Sequence, residues 1–363
     1  MSDTRGDTRL DPRLKSALQL VAPGVPLRES IENIIRGKSG ALIVIGDVRK
    51  LSFLFSGGLR LECEFKPNMV YELAKMDGAI IINRNITRIH RANVQLMPDP
   101  NIESRETGTR HRTAERVARQ TGELVISISQ DRDVVSLYVG ELKYSLTEIR
   151  VLLAKADQAL QTLEKYRARM DQVADNLTAL EFEDAVTLHD VVGLMQRVEM
   201  VVRVVSEIER YLVELGSEGR LIAMQLEELV TGVERDRVAL IRDYLPGKRP
   251  SVKDVIEKIG ALTADELFEP NIVARILGYR RKVHSADFRV SPRGYRILAK
   301  LPKLPPSVID NLVKRYGRLQ SVIIVNEDEL VEVEGVGRVR AREIGEGLVQ
   351  LRELTLAEKY SIR

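Results

Sequence analysis

The sequence predicts three successive regions: an N-terminal α/β domain with a mixed sheet flanked by helices (residues 1–146), an all-α middle spine (147–288), and an all-α C-terminal domain of tandem helix-hairpin-helix units (289–363). Three observations predict this. Up to residue 146, short apolar runs alternate with helical stretches. From Thr147 the apolar spacing changes to three and four residues. The tail matches itself when shifted along its own length. A chain of 363 residues also exceeds one typical domain of roughly 150.

Taken in order, GALIVIGD (40–47), LRLECEF (59–65), DGAIIINR (77–84), ELVISIS (123–129) and VVSLYVG (134–140) read as strands, with a helix expected over Thr113–Thr121. Cys63, the single cysteine, alternates into a strand and is expected to be a buried structural thiol. Ile149, Leu152, Leu153, Ala156, Leu160 and Leu163 begin a long amphipathic helix that continues to Leu180. A second runs from Val191 to Leu215 and a third from Leu221 to about Leu245, where YLPGKRP ends it. Stripes at this spacing are core packing. In the tail, a shift of 32 residues pairs Leu301 with Val333, Leu304 with Val336 and Leu312 with Ile344. Each copy reads as helix, tight hairpin, helix, with prolines shaping the first hairpin and Gly335 and Gly337 the second.

Composition narrows the function classes. No apolar run approaches the roughly 18 residues of a membrane span, and MSDTRGDTRLDPRL has no apolar leader core, so a cytoplasmic protein with no membrane association is expected. One cysteine allows no internal disulfide, and His90, His111, His189 and His284 have no zinc-ligand spacing. Charge is unevenly placed: residues 1–146 carry 22 basic and 18 acidic side chains, 147–274 carry 16 and 24, and 275–363 carry 18 and 11. A basic tail behind an acidic middle points to a polyanionic partner at the C-terminus.

Two glycine motifs are decoys. RGKS (36–39) has Glu32 where a phosphate-binding P-loop needs glycine, and it precedes a strand instead of following one. EGVGRVRA lacks the third glycine of a dinucleotide fingerprint. ETGTRHRTAER (106–116) is different. Gly108 permits close backbone approach, Thr109 offers a hydroxyl, Arg110 and Arg112 can grip phosphate oxygens, and a helix start adds N–H groups. The same residues also fit a solvated basic turn in which Glu115 and Arg116 lie on the surface. In KMDGAIII, Asp77 could receive a hydroxyl proton or help hold Mg²⁺, with Gly78 letting a sugar or base pack on backbone. An ordinary Asp-Gly turn explains it equally.

MDGAI, ANVQLMPDP and ETGTRHRTAER, in that order and spacing, resemble the diadenylate cyclase family, and with the helical middle and hairpin tail the resemblance covers the whole chain. It implies condensation of two ATP molecules into cyclic di-AMP with loss of two pyrophosphates, using Mg²⁺ or Mn²⁺. By the same resemblance, Asp77 orients or deprotonates the ribose 3′-hydroxyl and holds the metal with the ATP phosphates. Gly78 lies against the nucleotide, and Leu96 reads adenine through its backbone. Arg110, His111 and Arg112 are catalytic and, with Thr109 and Thr113, bind the triphosphate, while Ser129 and Arg132 add phosphate contacts next to Asp131. Two equivalent halves of the product require two catalytic domains facing each other across a two-fold axis. The family implies a homo-octamer.

For the tail, a Gly-x-Gly hairpin exposes N–H groups to a DNA phosphate, and nearby cations add sequence-independent attraction. Gly335, Gly337, Arg338, Arg340 and Arg342 suit that role in the second copy and Lys303 in the first, with Arg280, Arg281 and Lys282 extending the patch. Few aromatics and no base-reading element predict recognition of shape, such as branched double-stranded DNA at a Holliday junction, and regulation of the cyclase by it. The rival from another class is a DNA-binding architectural protein whose α/β domain only senses nucleotide. A repair nuclease or glycosylase is disfavoured, since no carboxylate cluster or iron–sulfur cysteine set is present.

Overall fold

A computed structural model describes residues 10–130, 133–247, 250–279 and 288–361. Of these, 10–158 with 208–224 form one compact unit and 159–207 with 225–361 another.

The first unit is a three-layer α/β structure. Its strands are β1 (Ala41–Ile45), β2 (Phe55–Ser56), β3 (Leu59–Glu64), β4 (Ala79–Ile82), β5 (Arg88–Leu96), β6 (Leu124–Ile128), β7 (Val135–Val139) and β8 (Leu142–Ser145). Their order is β2-β5-β4-β1-β6-β7-β8, with β3 pairing β5 as well. The sheet is mixed because β1 and β4 run parallel while the other pairs are antiparallel. The period of two divides the side chains between two cores. Ile43, Ile45, Ile80, Ile82, Ile126 and Leu137 face the helices α1 (Pro12–Val21), α2 (Pro26–Arg36) and α4 (Pro67–Ala74). Leu42, Val44, Ile81, Val125 and Tyr138 face α5 (Thr109–Thr121) and the short α3 (Val48–Leu51). Burial of both faces explains why these strands read as unbroken apolar runs. Cys63 lies on β3 and is only partly buried, its Sγ 3.3 Å from the Met69 sulfur, where full burial was expected.

The expected helix at Thr113 starts four residues earlier, at Thr109. Gly108, in extended backbone, is its N-cap, so the arginine-rich stretch is the helix's first turn and not a loop before it. Gly122, left-handed at φ 72°, ends it.

The first two apolar stripes of the middle are α6 (Ile149–Phe182) and α7 (Leu188–Leu215). The third is not one helix. It breaks into α8 (Arg220–Val230) and α9 (Val233–Tyr244) at Gly232, which takes φ 82°. Arg167 of α6 satisfies the carbonyls this break exposes, binding Leu229 O at 2.8 Å and Thr231 O at 3.1 Å. Then come α10 (Val252–Gly260), α11 (Ala264–Phe268), α12 (Pro270–Ile276), α13 (Tyr295–Lys300), α14 (Pro306–Tyr316), α15 (Leu319–Ile324), α16 (Glu327–Val331) and α17 (Arg338–Ser361).

Asp243 joins the middle helices to the tail. It accepts the N–H groups of Gly294, Tyr295 and Arg296 at 2.6, 2.6 and 2.8 Å and so caps α13. Arg296, buried, pairs with the fully buried Glu181 of α6 at 2.7 Å, and the Tyr244 hydroxyl donates to the same oxygen. Removing one partner would strand a buried charge.

Candidate functional site

Strand register gathers the N-terminal site. Leu42 of β1 pairs with Ala79 of β4, so two residues back Gly40 comes beside Asp77. Ala41 pairs with Ile128 of β6, which sets Ser129 on Gly40's other flank. Ala79 pairs with Val94 of β5, and two residues onward Leu96 reaches Asp77. Leu96, Asp77, Gly40 and Ser129 therefore form one row across one end of the sheet. Gly78 takes φ 94°, and a Cβ there would stand 2.9 Å from Asn93 C and Val94 O, so β5 passes against bare backbone. Asp77 is exposed and has no hydrogen-bond partner among the described residues. Ser129 is half-buried and Leu96 buried.

The first turn of α5 meets this row. A Cβ on Gly40 would lie 2.2 Å from Arg110 Nη1, so the guanidinium rests on the space a side chain would fill. No side chain caps the helix, and its first turn holds no acid. Its leading N–H groups and positive dipole end thus accompany Arg110, with no acid within the first turn itself to offset them. Arg112 turns away, donating to the carbonyls of Glu106 at 3.4 Å and Thr107 at 3.2 Å, so it braces the preceding loop. His111 Nδ1 lies 3.0 Å from the Tyr138 hydroxyl. Thr109 is exposed and Thr113 half-buried. Arg132, with Asp131, lies outside the described residues.

Glu115 and Arg116, surface residues in the solvated-turn reading, instead latch the loop 97–108 onto α5. Buried Glu115 accepts from Ser104 Oγ at 2.5 Å and Arg105 N at 3.0 Å, and Arg116 donates to Ile102 O at 2.8 Å. Sequence reasoning missed Gly40, Tyr138 and this role of Glu115. Each acts on a residue distant along the chain, and one sequence carries no signal for that.

Among the described residues no group of three or more His, Cys, Asp or Glu could hold a metal ion unaided. The lone Asp77 carboxylate fits a cation held mainly by ligand phosphates.

In the tail, α13 and α14 flank the turn 301–305, while α16 and α17 flank 332–337. The 32-residue shift carries over into backbone shape: Lys303 and Gly335 occupy matching positions and both are left-handed, at φ 60° and 84°. Leu301 and Val333 are buried, as are Leu312 and Ile344. Lys303, Gly335, Gly337, Arg338 and Arg342 are exposed. Arg340 folds back and donates to the Gly335 carbonyl. Arg280, Arg281 and Lys282 lie outside the described residues.

A family model described as DisA bacterial checkpoint controller nucleotide-binding matches residues 28–142, and one described as DisA bacterial checkpoint controller linker region matches residues 146–286. The chain is 53% identical over 346 residues to the DNA integrity scanning protein DisA of Carboxydothermus hydrogenoformans, covering 95% of this chain and 98% of the relative. Over 359 residues it is 48% identical to DisA of Clostridium acetobutylicum, covering 99% of both. No helix among the described residues is long and apolar enough to cross a membrane.

Proposed function

Because this chain belongs to the DisA family of DNA integrity scanning proteins, we propose that its α/β unit is a diadenylate cyclase, joining two ATP molecules into cyclic di-AMP and releasing two pyrophosphates. The observation that carries this reading is the row of Leu96, Asp77, Gly40 and Ser129 with Arg110 seated on Gly40. It puts a free carboxylate and a guanidinium at neighbouring strand ends. Asp77 orients the ribose 3′-hydroxyl and takes its proton. Arg110, the α5 N–H groups, His111, Thr109 and Thr113 hold the triphosphate, with Ser129 beside them, and Arg112 swings from the loop carbonyls to join them; for Arg132, outside the described residues, the phosphate-contacting role rests on the family resemblance alone. Leu96 lends backbone to adenine, and the bare Gly78 lets the nucleotide lie close. Asp77, together with phosphate oxygens of the substrate, would hold Mg²⁺ or Mn²⁺, which would supply charge neutralisation for the leaving group.

Attack of each 3′-oxygen on the other nucleotide requires two such units face to face about a two-fold axis, within a homo-octamer. The tail binds branched DNA through the two hairpins, and that binding regulates the cyclase.

The test is purified protein with ATP and Mg²⁺ or Mn²⁺, read as cyclic di-AMP. Wild type forms product; Asp77→Asn binds ATP but turns over at least about 100-fold more slowly, the range of general-base loss. Folded octamer that binds ATP and junction DNA yet makes no product would favour the architectural alternative.

A further inference from the structure

RGKS (36–39), no P-loop, nonetheless leads directly into Gly40, and its backbone is strained. Helix α2 ends there with the bonds of a glycine-type C-cap: Lys38 N–H donates to Ile35 O at 2.9 Å and Ser39 N–H to Ile34 O at 3.1 Å. That cap requires a left-handed residue at position 38, where glycine is usual. Here it is Lys38, at φ 53°. The neighbouring Gly37 keeps φ −77°, and its missing side chain makes room for the Tyr71 ring, 2.5 Å from where a Cβ would stand. Lysine in the left-handed conformation costs stability that glycine would not. A second such residue stands opposite: Asp133, at φ 52°, accepts from Lys38 Nζ at 2.7 Å. Strain kept at both ends of one contact points to a use for that contact.

Strand register supplies the use. The β1–β6 ladder runs from Ile45 opposite Leu124 to Ala41 opposite Ile128 and stops there. Gly40 and Ser129, the last two residues of the row, lie one step past its end. Ser129 N–H is held on its other side by Val134 O at 2.9 Å, and Asp133 directly precedes Val134. Lys38 lies two residues beyond Gly40 on the facing chain. The ion pair therefore closes the gap that the ladder leaves open, with Gly40 and Ser129 between the two. Both side chains of the pair are exposed, so it adds little to global stability and acts as a local tie.

We propose that Lys38 and Asp133 are positioning residues whose ion pair holds Ser129 opposite Gly40 and the Arg110 guanidinium seated on it, at the triphosphate end of the site. The substrate part of this inference rests on the cyclase reading; the tie does not. Lys38 acts through Ser129 and not by touching phosphate itself.

The test uses full-length protein. Lys38→Gly gives the cap its preferred residue and removes the tie, so it melts at or above the wild-type temperature. Its KM for ATP nevertheless rises about 2- to 5-fold, the span of an exposed ion pair, with kcat within about two-fold, because a binding contact is loosened. Asp133→Gly raises KM alike. The exchanged pair, Lys38→Asp with Asp133→Lys, returns KM to the wild-type value; should it not fold, Lys38→Arg, which keeps a cation for Asp133, takes its place. Hydrogen exchange read by mass spectrometry shows the Ser129 amide opening faster in Lys38→Gly, although the change lies far away along the chain. Unchanged KM in both glycine variants, unchanged Ser129 exchange, or a Lys38→Gly protein that melts below wild type overturns the proposal. So does a KM that rises in Lys38→Gly alone, which would make Lys38 itself the phosphate contact. Wild type that makes no cyclic di-AMP sinks the cyclase reading, while Ser129 exchange still decides the tie.

Discussion

Gly40 has no side chain, and that absence is what makes it matter. The guanidinium of Arg110 occupies the place of its missing Cβ. The neighbour is the far end of a flexible side chain, so a larger residue would push Arg110 aside and leave β1 intact. Gly40→Val is expected to change stability by within about 1 kcal/mol, yet to lower kcat/KM for ATP by about 10- to 100-fold, equivalent to ~1.4–2.8 kcal/mol of transition-state stabilisation. Thermal melting and product formation on one preparation check both halves, and wild-type turnover would remove Gly40 and Arg110 from the account. The contrast with Asp77 shows what a sequence discloses. Asp77 and Arg110 carry charge within recognisable strings, so chemistry could be assigned to them unaided. Gly40, Tyr138 and Glu115 act by touching residues that only folding brings near, and their residue types alone are ordinary.

Elements were legible where one face of a helix or strand dominates its environment. The stripes of α6 and α7 are long enough that no competing period fits, and β1, β4, β6 and β7 are apolar because helices cover both faces of the sheet. β5 escaped notice. Its register against β3 and β4 shifts at irregular points, which disrupts the alternation, although this strand carries Leu96 to Asp77. The break at Gly232 was equally hidden, since apolar spacing continues through it. The second hairpin shows how structure refines a reading of charge. Arg338 is exposed with no ion pair or hydrogen bond among the described residues, whereas Arg340 is tied to the Gly335 carbonyl. Arg338→Ala should therefore weaken junction binding uniformly and reduce the slope of log affinity against log salt by about 0.9, one phosphate contact. Arg340→Ala should lower affinity more than its own charge explains, because the turn that presents N–H groups loses its brace. Titrations of a labelled junction at several salt concentrations separate the two, and equal slopes and affinities for both variants would contradict this division.

At the scale of the whole molecule, the proposed cyclase reaction makes symmetry the governing constraint. A cyclic dinucleotide contains two phosphodiester bonds, and each needs a carboxylate at one 3′-hydroxyl and a cradle for the other nucleotide's triphosphate. Among the described residues a single chain brings one Asp77 to one Arg110-bearing turn, enough for half of the reaction. Protein assembled from wild-type chains mixed with Asp77→Asn chains should contain pairs with only one competent hydroxyl-activating carboxylate. Such a pair can make the first bond but is slow at the second, so a linear dinucleotide that still bears a triphosphate should accumulate as the mutant fraction rises, and cyclic product should fall faster than the wild-type fraction itself. Co-refolding the two chains at several ratios and separating the nucleotides by chromatography measures both trends. If each wild-type chain made cyclic product by itself, output would fall in simple proportion to its fraction and no linear species would appear; that result would show one α/β unit to be sufficient and end the two-half description of the site.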